Sequence, residues 1–349
     1  MADQDWTAPG AFEVAPGVHR IPLPLPNDGL RAVNVYALDA GPDGLVLVDS
    51  GWALADARQR LEAALGGLGH DLGSVRRFLV THVHRDHYTL GVELRRTFGA
   101  RIALGAGEQP NLTAIADPTR TPDGALRRWG AESLIAPWRD AYDAGARARD
   151  AGGYEQPDEW LTGDAQVGVG KRTLRVLPTP GHTRGHVVFL DESAGCGTPL
   201  LFAGDHVLPH ITPSIGFEPA PVPDALGDYL RSLRLLLAYP DALLLPAHGL
   251  PGQGVHGRVH ELLRHHDERL AATERAVAAG ARTAFEAAGL LGWTRRGRAF
   301  DSLDLFNRFL ATGETAAHLE VLVRRGVLVS AEADGVRTYA PAAFAASAG

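Results

Sequence analysis

Thr81-His82-Val83-His84-Arg85-Asp86-His87 decides how this chain is read. It follows directly on Arg77-Phe78-Leu79-Val80, an apolar run of strand character. On an extended backbone alternate side chains share a face, so His82 and His84 point the same way. Asp86 and His87 come next, where the chain is expected to turn. Three imidazoles and a carboxylate this close together suit one or two borderline-soft divalent cations, which take nitrogen and oxygen ligands at about 2 Å. A lone loop histidine is ordinarily just solvated. With 15 histidines in 349 residues, however, a chance H-x-H-x-D-H is on the order of one in a thousand.

Three more candidates each close a strand-like run: His182 in Pro180-Gly181-His182-Thr183, Asp205 in Phe202-Ala203-Gly204-Asp205, and His248 in Pro246-Ala247-His248-Gly249. Loops at one end of a sheet are where such side chains converge. Around them the first half alternates strands and helices. Val33–Leu38 and Leu45–Val48 flank the turn Gly41-Pro42-Asp43-Gly44, and Leu54–Leu68 and Leu90–Phe98 carry apolar residues at helical spacing. Strands return at Leu174–Leu177, Val187–Leu190, Leu200–Ala203 and Leu243–Leu245. This interleaving predicts a layered α/β fold.

Residues 106–160 hold Trp129, Trp138, Tyr142, Tyr154 and Trp160 with little strand character, and read as a helical insertion. Trp129, Trp138 and Tyr142 are candidates for an apolar lid over the cleft, ordinary packing being the equal alternative. From residue 255 onward the pattern predicts helices over His256–Ala279, Thr283–Leu290, Leu303–Ala311 and Thr315–Arg325. A hairpin follows from Val327–Ser330 and Val336–Tyr339. Two units are expected, 1–254 and 255–349.

The ordered set H-x-H-x-D-H, Pro-Gly-His-Thr, Gly-Asp and a late His before Gly resembles the metallo-β-lactamase-fold hydrolase superfamily. Asp49, in Val48-Asp49-Ser50-Gly51, is similar to that family's early Val-Asp-Thr-Gly segment, with Ser for Thr. The resemblance implies an αββα sandwich of two mixed sheets. It also implies a pair of divalent ions around a bridging hydroxide, zinc first, with iron or manganese as alternatives. His82, His84 and His182 would hold one ion, Asp86, His87 and His248 the other, and Asp205 would bridge them. Asp86 would also shuttle the proton after attack, and Asp49 would orient a ligand imidazole through its free N–H. His186 resembles the second histidine of Gly-His-Thr-x-Gly-His in thioesterase members; a hydrogen-bonded structural role is the preferred reading.

The same resemblance narrows the substrate. Well-known lactam hydrolases of the fold place Cys where this chain has Asp205, which argues against β-lactams. His84 argues against flavodiiron oxygen reductases, and the complete second ligand set against mono-iron persulfide dioxygenases. Thioester hydrolases of the glyoxalase II type, lactonases and several nucleases share all seven ligands. The expectation is a binuclear hydrolase of a small acyl substrate, thioester, ester or lactone. A metal-dependent endoribonuclease is the alternative, and a non-enzymatic winged-helix regulator the third.

Composition fits these readings. Hydrophobic residues make up 45%, charged residues 21%, and the net charge is -7, a globular profile that disfavours broad nucleic-acid binding. Cys196 is the single cysteine, so an intrachain disulfide and a Cys-rich zinc finger are excluded. No apolar run reaches the roughly 18 residues of a membrane span, and the acidic amino terminus lacks a signal-peptide layout. A cytoplasmic protein away from membranes is expected, with a homodimer left open. The tail resembles a winged helix, but Glu314 and Glu320 counter Arg324 and Arg325, so a structural or substrate-closing role is expected over reading nucleic acid. Arg295, Arg296 and Arg298 would either grip a phosphate or nucleotide handle such as coenzyme A or form a solvated loop.

Overall fold

The computed structural model describes residues 5–26, 29–141, 153–192, 197–293 and 297–342. Tyr142, Cys196, Arg295 and Arg296 lie outside the described residues. Two sheets face each other. The larger runs in the order β1 (Phe12–Ala15), β2 (Val18–Pro24), β3 (Ala32–Asp39), β4 (Leu45–Val48), β5 (Val75–Val80), β6 (Arg101–Gly105) and β7 (Glu159–Leu161). It is antiparallel as far as β4 and parallel from there on. The smaller has the order β12 (Leu243–Pro246), β11 (Leu200–Gly204), β10 (Val187–Asp191), β9 (Arg172–Pro178) and β8 (Gln166–Val169), with only β11–β12 parallel.

Tyr36, Leu38, Val48 and Leu79 of the first sheet meet Val176, Phe189, Phe202 and Leu245 of the second in one apolar layer. Helices α1 (Ala55–Gly67) and α2 (Arg85–Phe98) cover the outer face of the larger sheet. α6 (Ala225–Leu236), α7 (Val255–Ala278), α8 (Ala284–Gly289) and α9 (Leu305–Arg324) cover the smaller. The result is the expected αββα sandwich. Strands buried on both faces read as continuous apolar runs, which is why β4, β10 and β11 are legible in the sequence.

The insertion contributes α3 (Gln109–Ala116), α4 (Asp123–Arg128) and α5 (Ile135–Ala141). It also supplies β7, an edge strand the sequence does not announce. Strand β2 escapes a sequence reading because of Pro22 and Pro24. Beyond Arg20 it has no partner on the β1 side, and prolines are tolerated on such an open edge. The C-terminal part ends in a hairpin of β13 (Leu328–Ala333) and β14 (Val336–Pro341).

One expectation is corrected there. The two predicted helices Leu303–Ala311 and Thr315–Arg325 are a single helix, α9, running straight through Gly313. A Cβ on that glycine would sit 3.0 Å from the Trp129 ring, so close packing, not a break, explains it. No described helix is long and apolar enough to cross a membrane.

Candidate metal centre

The carboxyl ends of β4, β5, β11 and β12 and the β9–β10 loop meet at one edge of the sandwich. β5 leads into Thr81 and His82, and His84 caps α2 with an extended backbone. Asp86 and His87 therefore lie in the first turn of α2 rather than in a free turn. A carboxylate there is favoured by the helix dipole. Gly204 ends β11 at φ 49°, and a Cβ on it would come 2.6 Å from Thr81 Oγ1, so only glycine lets Asp205 follow so near β5.

All seven predicted ligands come together in two sets. In the first, His84 Nδ1 is 3.0 Å from both His82 Nε2 and His182 Nε2. In the second, His87 Nε2 and His248 Nε2 lie 3.5 and 3.6 Å from Asp86 Oδ2. Asp205 spans both: Oδ2 is 3.4 Å from His182 Nε2, while Oδ1 is 3.2 Å from His248 Nε2 and 3.7 Å from His87 Nε2.

Each imidazole that offers Nε2 has its other nitrogen fixed. His87 Nδ1 donates to Asp49 Oδ2 at 2.9 Å, His182 Nδ1 to the Ser214 carbonyl at 2.8 Å, and His248 Nδ1 to the Ala32 carbonyl at 2.7 Å. His82 Nδ1 is 3.1 Å from Thr81 Oγ1, whose own hydrogen goes to Asp49. In their neutral forms these rings therefore turn Nε2 lone pairs toward one another, His87 doing so once it has given up the proton its acidic neighbours favour. His87 Nε2, His248 Nε2 and Asp205 Oδ1 are buried with no hydrogen-bond partner among the described residues. Converging lone pairs beside an orphaned carboxylate oxygen fit a cation shell and little else.

Protonation follows the same division. Burial, reinforced by neighbouring imidazoles, holds His82 and His84 below the ordinary range, His84 near about 3. His182 is lowered by burial as well. Burial also disfavours a charged His87, but Asp86, Asp49 and Asp205 outweigh it and raise the group to about 10. Burial alone would raise Asp205, yet His248, His87 and His182 hold it well below the usual carboxylate range. The first set is ready to bind a cation as it stands; the second must shed a proton.

Asp49 contacts one of the candidate ligands, His87. It adopts φ 61°, a left-handed conformation that Asp tolerates, and its Oδ1 accepts from Thr81 N at 2.8 Å. His186 bonds no ligand: its Nδ1 is 2.9 Å from Thr179 Oγ1, and its ring stacks on His82 at 5.0 Å. Trp129 and Trp138 pack on Phe309, with centroids 5.4 and 4.4 Å away. The phenyl ring beside the ligands is instead Phe217, 6.3 Å from His84. Phe217, Ser214 and Ala32 carry no sequence signal for the site.

A model of the metallo-beta-lactamase superfamily matches residues 28–248. The chain belongs to this superfamily. Among solved superfamily structures, a beta-lactamase domain protein from Burkholderia ambifaria is 30% identical, with TM-score 0.77, covering 97% of this chain and 96% of that one. A metallo-beta-lactamase family protein from Thermus thermophilus is also 30% identical, with TM-score 0.71, covering 94% and 100%. A curated relative, lactamase-like protein nscB of Neosartorya fischeri, is 28% identical over 69% of this chain. The matched stretch spans only 55% of that relative. The chain thus combines superfamily membership with His and Asp groups able to hold metal ions.

Proposed function

We propose that this superfamily member is a binuclear hydrolase of small acyl thioesters or esters, lactones included. The observation that carries the reading is Asp205, whose two oxygens face two different ligand sets. His82, His84 and His182 would hold one ion and Asp86, His87 and His248 the other. Five imidazoles and two carboxylates without a thiolate favour zinc, with iron or manganese next. When bound, such a pair supplies a water acidic enough to act near neutral pH and polarises an acyl oxygen.

The chain itself orients and moves protons. Asp49, Ser214 and Ala32 fix the ligand rings, so little reorganisation accompanies reaction. Asp86, 16% exposed where its neighbours are nearly sealed, takes the proton the attacking water gives up and hands it to the leaving thiol or alcohol. No side-chain nucleophile is required.

The C-terminal helices and hairpin, winged-helix-like in order, serve in this reading to close the cleft. Two of their arginines are paired with acids: Arg324 lies 3.4 Å from Asp224 and Arg337 2.6 Å from Glu320. Polyphosphate binding needs an excess of cations and the chain carries a net charge of -7, so acyl substrates are favoured over RNA. The test is a panel of thioesters, esters, lactones, a β-lactam and single-stranded RNA with zinc-loaded protein. Asp205→Ala is expected to lower thioester or ester turnover by about 100-fold or more and to lose at least one metal equivalent. Full turnover in that variant, or cleavage of RNA alone, would overturn the reading.

A further inference from the structure

A file of aromatic rings leads away from the ligands. Phe217 stands 6.3 Å from His84, Phe306 crosses Phe217 edge-on at 5.7 Å, and Trp138 stacks behind Phe306 at 6.2 Å. Phe309 backs the file from beneath, its ring 5.7 Å from Phe217 and 4.4 Å from Trp138. These rings come from three separate parts of the chain: the loop after Asp205, helix α9, and α5 of the insertion. Trp138 and Phe309 are sealed in the core. Phe306 is not: it stays 38% exposed, and Phe217 is only partly covered.

The packing that creates this file is specific. Phe306, Phe309 and Gly313 are spaced i, i+3, i+7 and share one face of α9. A Cβ at Gly216 would lie 3.1 Å from the Gly313 carbonyl oxygen, and one at Gly313 would lie 3.0 Å from Trp129. Two facing glycines therefore let α9 rest directly on the loop, and the residue after Gly216 is Phe217. The same loop supplies the Ser214 carbonyl that fixes His182. Helix α9 is thus coupled both to a ligand and to the ring beside another.

We infer that Phe217 and Phe306, backed by Trp138, form the wall that receives a ring-bearing apolar acyl group, and that the C-terminal helices are part of the substrate site. This rests on the acyl-hydrolase reading for its orientation, with the carboxyl carbon at the ligands and the ring along the file. The wall begins at a metal ligand and offers ring faces and edges, so an aryl group is the occupant that gains most from it. An acetyl group has no ring to set against it.

The test uses Phe306→Ala, a half-exposed position whose truncation leaves the core intact, with metal content and thermal midpoint measured as controls. Binding of 2-naphthoate and of acetate to zinc-loaded protein is followed by calorimetry, and kcat and KM are measured for a naphthoyl and an acetyl thioester. The expected result is naphthoate affinity reduced about tenfold, acetate affinity unchanged, and a raised KM for the naphthoyl substrate alone. Equal effects on both carboxylates, or none, overturn the inference. So does a dimer that becomes a monomer with naphthoate affinity unchanged, which would assign Phe306 to a second copy of the chain. Selective loss of naphthoate without any turnover leaves the wall standing and removes the hydrolase reading. Turnover without ring selectivity does the reverse.

Discussion

Replacing Asp49 by Asn separates the two ligand sets by a single proton. The carboxylate accepts three hydrogen bonds, from Thr81 N at 2.8 Å and Thr81 Oγ1 at 3.0 Å on Oδ1, and from His87 Nδ1 at 2.9 Å on Oδ2. An amide has one oxygen for these two groups of donors. Thr81 presents two of them, so the oxygen turns that way and the NH2 faces His87. His87 must then either carry its hydrogen on Nε2, the nitrogen that faces Asp86 and Asp205, or oppose two donors at hydrogen-bond distance. Leaving a buried donor unpaired costs about 1–3 kcal/mol. Cation affinity at the His87 set is therefore expected to fall about 10- to 100-fold, while the His82–His84–His182 set changes by no more than about threefold. Zinc titration against a chromophoric chelator resolves the two steps. If both steps weaken together, or neither does, the tautomer argument is wrong.

Two further outcomes follow from buried charge. Burial pushes Glu108 up from its ordinary 4.5 to about 7, where it accepts hydrogen bonds from Thr183 and Asn111. Between those values the folded chain keeps a proton that the unfolded chain has released. The contribution of Glu108 to stability therefore falls as pH rises across that window, by about 3 kcal/mol, and is constant above it. Glu108→Gln is expected to remove that share of the pH dependence, seen as a change in urea-derived stability between about pH 5 and about pH 8 that differs from the parent's by about 3 kcal/mol; a dependence equal to the parent's refutes it. At the second ligand set, His87 near about 10 must lose a proton before its Nε2 can bind a cation. Zinc binding at neutral pH is then expected to release about one proton or more there, with affinity rising as pH rises. Calorimetry in buffers of different ionisation heat measures this, and no buffer dependence would contradict it.

Much of the site is legible because its chemistry is local. His82 and His84 share a face by strand periodicity, and His182, Asp205 and His248 each end a strand. Asp86 and His87 read as ligands from their residue types, but the sequence places them in a turn, since helix α2 starts earlier than its apolar spacing suggests. The same local logic fails at Gly313, where low helix propensity predicts a break. Tertiary packing against Trp129 and Gly216 overrides it.

Residue identity alone determined which atoms could bind cations, because imidazole and carboxylate carry that property wherever they sit. It determined the α/β layering too, because two-faced burial writes continuous apolar runs. Only the tertiary structure decided which nitrogen of each histidine is free. The partners that settle this include the backbone carbonyls of Ser214 and Ala32, and a carbonyl is the same in every residue. It also decided that Phe306, remote in sequence from the ligands, packs on the ring that stands beside His84. That packing depends on two glycines letting a helix touch a loop, a fit in three dimensions with no periodicity to betray it.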